Sequence, residues 1–283
     1  MNFTTLITAE QLRDHVFDAA WCVLDCRHDL IDHAAGKRAY DTGHIPGAQF
    51  ASIENDLAGA KTGRNGRHPL PERATLERRF GLWGIHNDTQ IVAYDAQGGQ
   101  FAVRLWWLAR WLGHAKVAVL DGGWPAWLAI TQWSSVEPGE REMRDFSARE
   151  SLVPVVDAMS VSKRDAQLLV DARAPERYRG EMEPIDPVAG HIPGAVNRFW
   201  QANLTEPVAG TFKSADVLRD EFTALLAGRS PKQLIVQCGS GVTACHHLLA
   251  MEHAGLPGAA LYAGSWSEWI ADPARPVATG AAP

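Results

Sequence analysis

Cysteine is the residue type in this chain best suited to covalent chemistry, and one of its four copies stands apart. Cys238 ends the apolar run Leu234-Ile-Val-Gln237 and is followed by Gly239, Ser240, Gly241, Val242 and Thr243. Glycines on either side of a small residue let the backbone turn tightly and let a ligand approach it closely. The next stretch, Ala244-Cys-His-His-Leu-Leu-Ala-Met251, reads as a helix ending near Gly255. Strand, cysteine, tight loop and helix together aim backbone N–H groups at one point, an arrangement that stabilises negative charge. A cysteine placed there is expected to have a lowered pKa and to act as a thiolate nucleophile. The other three thiols lack this context and are expected to be structural.

Three chemistries suit a thiolate in such a cradle. Phosphate-ester hydrolysis calls for an arginine six positions after the cysteine to clamp the phosphate. That position is Ala244, and nothing from Gly239 to Ala244 is basic. Acyl transfer needs a Cys–His pair, and His246 and His247 are near in sequence but lie within the expected helix. Sulfur transfer, in which the thiolate takes up a sulfur atom and holds it as a persulfide, needs a small, neutral, donor-rich pocket.

Composition narrows the setting. The chain has 283 residues and a net charge of −6 with no block of like charge, which argues against nucleic acid or an anionic membrane surface as partner. No apolar run is long enough to span a bilayer, and the N-terminus lacks the pattern of a secretory signal. We therefore expect a cytoplasmic protein. Cys22 and Cys26 lie in an expected strand, where four residues span about 13 Å, too far for a disulfide, whose α-carbons stand within roughly 7 Å. No cysteine spacing matches a zinc site, and no metal or cofactor is expected.

The elements that position Cys238 occur twice. Val23-Leu-Asp-Cys-Arg27 and Gly43-His-Ile-Pro-Gly-Ala48 return as Leu169-Val-Asp-Ala-Arg173 and Gly190-His-Ile-Pro-Gly-Ala195. Ile91 to Asp95 answers Leu234 to Cys238, and Asp121 to Trp127 answers Ala263 to Trp269. The blocks keep their order at offsets between 142 and 147. A period this long means two globular domains. Short Val/Leu/Ile runs alternating with helical patterns predict α/β domains, each a mainly parallel sheet flanked by helices. We expect a first, non-catalytic domain over 1–131, a linker over 132–154 and a catalytic domain over 155–283. The tail from Pro273 is expected to be loose. Thr8-Ala-Glu-Gln11 reads as a helix capping box, and Leu105, Trp106, Leu108, Trp111 and Leu112 as the buried face of a helix. Asp95 falls opposite Cys238, so only the second copy has a nucleophile there. His44 and His191, repeated in both copies, are expected to be structural, and the tryptophans to be core.

With duplication and loop in hand, the chain resembles the tandem-domain rhodanese family of sulfurtransferases from about Thr4 to Trp269. Cys238-Gly-Ser-Gly-Val-Thr-Ala244 looks like the active-site loop of the 3-mercaptopyruvate sulfurtransferases. Thiosulfate sulfurtransferases usually carry a basic residue directly after the cysteine, where this chain has Gly239. The resemblance implies that Cys238 takes sulfur from 3-mercaptopyruvate or a related small donor, releases pyruvate, and passes the sulfur to a thiol or cyanide. It further implies that Ser240 assists the cysteine and that Gly239, Gly241, Val242 and Thr243 form the substrate loop. Arg177 aligns with the substrate-binding arginine, whereas Arg173, repeated as Arg27, is expected to be structural. The resemblance also brings Asp56 and His68 from the first half towards the pocket. Where mercaptopyruvate enzymes usually have a second arginine, this chain reads Glu183-Pro-Ile-Asp186-Pro-Val-Ala189. Arg179 is a candidate substitute, with a solvent-facing position as the other reading; without a substitute, losing one of two charged carboxylate contacts would weaken binding by about 1.5–3 kcal/mol. The alternatives are a thiosulfate sulfurtransferase and a persulfide-carrying module serving a protein partner.

Overall fold

The structure is a computed structural model that describes residues 2–207 and 210–282. It divides into two compact units. The first comprises residues 1–59, 71–152 and 204–212, and the second 60–70, 153–203 and 213–283. Each repeat has thus exchanged a segment: residues 60–70 cluster with the second unit and 204–212 with the first.

In the first unit, strands β1 (Leu6–Ile7), β2 (Trp21–Asp25), β3 (Gln49–Phe50), β4 (Gln90–Tyr94) and β5 (Val117–Leu120) form a parallel sheet in the order β1-β5-β4-β2-β3. Every residue of β2, β4 and β5 is buried, as expected of parallel strands covered on both faces. Helices α1 (Ala9–Arg13), α2 (Ala35–Thr42), α3 (Arg73–Leu82), α4 (Ala102–Trp111) and α5 (Gly123–Thr131) supply the covers. Thr8 and Gln11 cap α1 reciprocally, the box read from the sequence. Leu105, Trp106 and Leu108 of α4 are fully buried, and Trp127 of α5 joins the core with Leu12, Val23 and Val92.

The second unit repeats this plan. Strands β6 (Val155–Val156), β7 (Leu168–Asp171), β8 (Ala195–Asn197), β9 (Leu234–Gln237) and β10 (Ala260–Tyr262) are parallel in the order β6-β10-β9-β7-β8. Its helices are α6 (Ala158–Ser162), α7 (Pro175–Arg179), α8 (Ala215–Leu226), α9 (Ala244–His253) and α10 (Ser265–Trp269). Trp266 and Trp269 lie in its core with Leu169, Ile192 and Ile235.

Repeated polar residues do the same work in both units. Asp25 and Arg27 form a buried bidentate pair, with Arg27 also donating to the Gly43 carbonyl at 2.7 Å. Asp171 and Arg173 repeat the pair, with Arg173 on the Gly190 carbonyl at 2.7 Å. His44 stacks on Tyr40 and bonds its carbonyl through Nδ1 at 2.8 Å, and His191 does so with Tyr178. Both histidines are structural.

The segment after each α5-like helix differs from expectation. Residues 132–152 lie bonded along the first unit: Ser135 bridges His44, Arg144 N–H donates to Gly81, and Arg149 N–H to Leu112. The tail after Pro273 is likewise held, since Ala278 bridges His191, Gly280 N–H donates to Arg179, and the Trp269 indole donates to Pro276. Each domain therefore closes on its Gly-His-Ile-Pro-Gly-Ala turn with a return strand of one bridge. Polar, patternless sequence concealed this because the bonds are made by the main chain.

Candidate active site

Cys238 lies one residue beyond β9, at the carboxyl end of the second sheet, where ligands bind in open parallel sheets. Its loop takes its shape from the turn that leads into α10. The Cys238 N–H donates to Ser265 Oγ at 3.1 Å, the Cys238 carbonyl accepts from Trp266 N–H at 3.0 Å, and the Gly239 carbonyl accepts from Ser267 N–H at 2.9 Å. Gly241 adopts φ +79°, and a Cβ there would stand 2.1 Å from the Ala263 carbonyl oxygen, so only glycine fits. The reward of that turn is direct: Gly241 N–H donates to Cys238 Sγ at 3.2 Å. Val242 is buried, Thr243 is half-buried at the N-cap, and α9 follows at Ala244. One backbone donor thus reaches the sulfur, and α9 begins six residues after it.

Ser240 is buried, and its Oγ lies 2.7 Å from Nδ1 of the buried His68. Both belong to the second unit, because His68 is carried on the exchanged 60–70 segment. This His–Ser pair beside the cysteine joins two residues that the family resemblance had named separately.

The charge of the site departs from the sequence reading. The loop itself is neutral, but a Cβ on Gly239 would lie 2.9 Å from Arg67 Nη2, and 3.5 and 3.6 Å from the terminal nitrogens of Arg177. Two guanidiniums therefore occupy the space that a side chain at 239 would enter, each of them paired with a carboxylate. Arg177 forms a bidentate pair with Glu183, with closest approach 2.7 Å, and reaches Asp186 at 3.1 Å. Asp186 also accepts from Arg67. Glu183 touches Arg173 at 3.4 Å and accepts the Ile185 and Asp186 N–H groups, folding its loop inwards. Burial, reinforced by the neighbouring charge of Arg177, pulls the pKa of Arg67 below its ordinary value, while negative charge at Cys238 and Glu183 opposes that shift.

Arg179 does not supply the second arginine. It pairs with Glu181 at 2.7 Å on the surface, in the last turn of α7. Arg67, the neighbour of His68 in the chain, stands beside Arg177 at Gly239 instead. Nothing in the 60–70 segment gives a local signal that it crosses to the other repeat. Asp56 accepts from Ser52 N–H at 2.8 Å and pairs with Arg79 at 3.1 Å within the first unit; burial raises its pKa despite both contacts.

The remaining histidines have other partners. His246 and His247 are fully buried, each with Nδ1 2.9 Å from Asn203 Nδ2, and His247 Nε2 lies 2.7 Å from the Arg198 carbonyl. Burial, aided by the Arg198 charge, holds His247 well below the usual histidine range. Neither is shown in contact with Cys238. All four cysteines are free and buried. Among the described residues, no helix is long and apolar enough to cross a membrane.

Comparison with known proteins identifies the family. A probable 3-mercaptopyruvate sulfurtransferase of Pseudomonas aeruginosa is 48% identical over 290 residues, covering 99% of this chain and 100% of that protein. A putative thiosulfate sulfurtransferase, SseB of Mycobacterium tuberculosis, is 38% identical over 92% of this chain and 91% of its own length. Among solved structures, SseA from Escherichia coli, described as a 3-mercaptopyruvate sulfotransferase, superposes with a TM-score of 0.76 at 31% identity, covering 94% of this chain and 100% of that one. The rhodanese-like domain model matches residues 8–130 and again 155–272. The chain is therefore a member of the rhodanese family, built of two rhodanese-like domains in tandem.

Proposed function

We propose that this protein is a sulfurtransferase in which Cys238 carries a sulfane sulfur, with 3-mercaptopyruvate as donor. The observation that carries the reading is the Cys238 loop: a sulfur held by Gly241 N–H, with two guanidiniums beside Gly239 to receive a carboxylate. In the first step the thiolate attacks the donor sulfur. The carbon–sulfur bond breaks, its electron pair leaves as the enolate of pyruvate, and the proton of the donor thiol ends on that carbon. Cys238 is left as a persulfide. In the second step a thiol or cyanide attacks the outer sulfur and Cys238 returns as thiolate; with cyanide the product is thiocyanate.

The Ser240–His68 pair, 2.7 Å apart, is placed to hold or move the proton that passes from sulfur to carbon. No metal or cofactor enters either step. Net charge of −6 and four cysteines outside any disulfide favour a cytoplasmic enzyme acting on small molecules rather than nucleic acid.

A second reading, thiosulfate as donor, is favoured by one observation. The cations that thiosulfate enzymes place directly after the cysteine are delivered here by Arg67 and Arg177. Sulfite would then leave in place of pyruvate, with no proton to transfer. Steady-state kcat/KM for the two donors, with cyanide as acceptor, separates them. Preference for mercaptopyruvate supports the first reading, and preference for thiosulfate overturns it in favour of the second.

A further inference from the structure

Cys238 is only 1% exposed, and charged side chains stand beside its loop. The charges around it are balanced in a particular way. Arg173 is matched by Asp171 and Arg177 by Glu183, each through two or more close contacts. Asp186 stands differently: its two oxygens are divided, Oδ1 to Arg67 and Oδ2 to Arg177 at 3.1 Å. A carboxylate shared between two guanidiniums is the geometry that a bound carboxylate donor would itself adopt. The Asp186 side chain is 2% exposed, whereas Arg67 and Arg177 keep 27% and 14%. The guanidiniums are therefore the part of the cluster that an incoming anion meets. Asp186 sits in the segment Glu183-Pro-Ile-Asp-Pro-Val-Ala189, pinned by the Glu183 carboxylate on its own N–H at 3.1 Å.

We propose that Asp186 is an internal carboxylate that occupies the Arg67–Arg177 anion site and sets donor specificity, because a donor must take these guanidiniums in competition with it. This rests on the sulfur-transfer reading and adds a residue to it. An internal anion screens the pair, so the site as built holds a monoanion more readily than a dianion. Removing the charge while keeping the shape leaves one uncompensated positive charge beside Cys238. Both donors then bind more tightly, and the dianion gains more, since Coulomb attraction scales with its charge.

The test is Asp186→Asn, with Asp186→Glu as the variant that keeps the charge. KM is measured for mercaptopyruvate and thiosulfate, and intact mass after saturating donor reports persulfide formation. For Asp186→Asn the thiosulfate KM is expected to fall by roughly tenfold, the difference of about 1.4 kcal/mol that one partly screened charge supplies. The mercaptopyruvate KM should fall less, and Asp186→Glu should lower neither. A rise in KM for both donors in Asp186→Asn overturns the proposal and makes Asp186 a brace for the arginines. Should Asp186→Asn fail to fold by circular dichroism, Asp186→Ser carries the same expectation. If the wild type gains no sulfur at Cys238, the sulfur-transfer reading itself fails; if it gains sulfur and the KM ratio does not move, only the role of Asp186 does.

Discussion

The two loops that follow β4 and β9 occupy the same place in the two sheets and use their main-chain donors in opposite ways. After β4, Asp95 is fully buried and its carboxylate accepts from the N–H groups of Gln97, Gly99, Phe101 and Ala102 at 2.7–3.0 Å. After β9, the residue in that position is Cys238, whose sulfur accepts from Gly241 N–H. A carboxylate has several acceptor sites and fills the cradle with its own oxygens. A thiolate carries one negative charge on one large atom that can still attack an incoming sulfur. One fold thus yields a closed structural loop and a reactive one, and the residue at the strand end marks which is which. Even the flanking turns match: Trp124 N–H donates to the Asp95 carbonyl at 2.8 Å and Trp266 N–H to that of Cys238 at 3.0 Å.

The comparison is broken most severely by removing the nucleophile. Cys238→Ser should lower transfer from either donor to cyanide by at least about 10³-fold, and adding Asp95→Cys to that variant should restore nothing, because Arg67 and Arg177 stand beside Gly239 of the second loop. Thiocyanate formation measures both. Gly241→Ala comes next: a Cβ 2.1 Å from a carbonyl at φ +79° forces the loop to move, with an expected stability loss of about 2–4 kcal/mol and a large fall in kcat, read by urea unfolding and by turnover. Asp95→Ala leaves three buried N–H groups and the part-buried one of Gln97 without their acceptor and should cost about 2–4 kcal/mol in the same unfolding measurement, with kcat of the folded protein little changed. His68→Gln should lower kcat for mercaptopyruvate by about 10–100-fold, and for thiosulfate less, because only the first donor has a proton to relocate.

The smallest effect concerns the silent thiols. Burial pushes Cys22 up to about 12 and Cys26 well above its ordinary value. At pH 8, iodoacetamide should modify Cys238 before either, as mapped by peptide mass. The same burial has a sign for stability. Above pH 9 the unfolded chain releases the Cys22 proton that the folded chain retains, so stability falls as pH rises from about 9 towards 12.

Much of this was legible in the sequence because duplication is written in order and spacing. The parallel sheets followed from fully apolar runs such as Leu234-Ile-Val, and the reactive half from the contrast of Asp95 with Cys238. The structural roles of Arg27, Arg173, His44 and His191 followed from their repetition. What escaped was long-range. Arg67 reaches Gly239 only because the 60–70 segment clusters with the other unit, and no local pattern encodes an exchange of that kind. The loop is neutral, as its residues read; the charge beside it comes from Arg67 and Arg177, set against Glu183 and Asp186. Arg179 was chosen by proximity along the chain, but α7 points it at Glu181.

The central claim is that the loop after β9 carries sulfur on Cys238. Intact mass of the wild type after incubation with mercaptopyruvate, followed by peptide mapping, tests it directly. The account predicts a gain of one sulfur atom on the peptide containing Cys238, lost on adding cyanide with release of thiocyanate. A protein that turns over donor while Cys238 never gains that atom would contradict it.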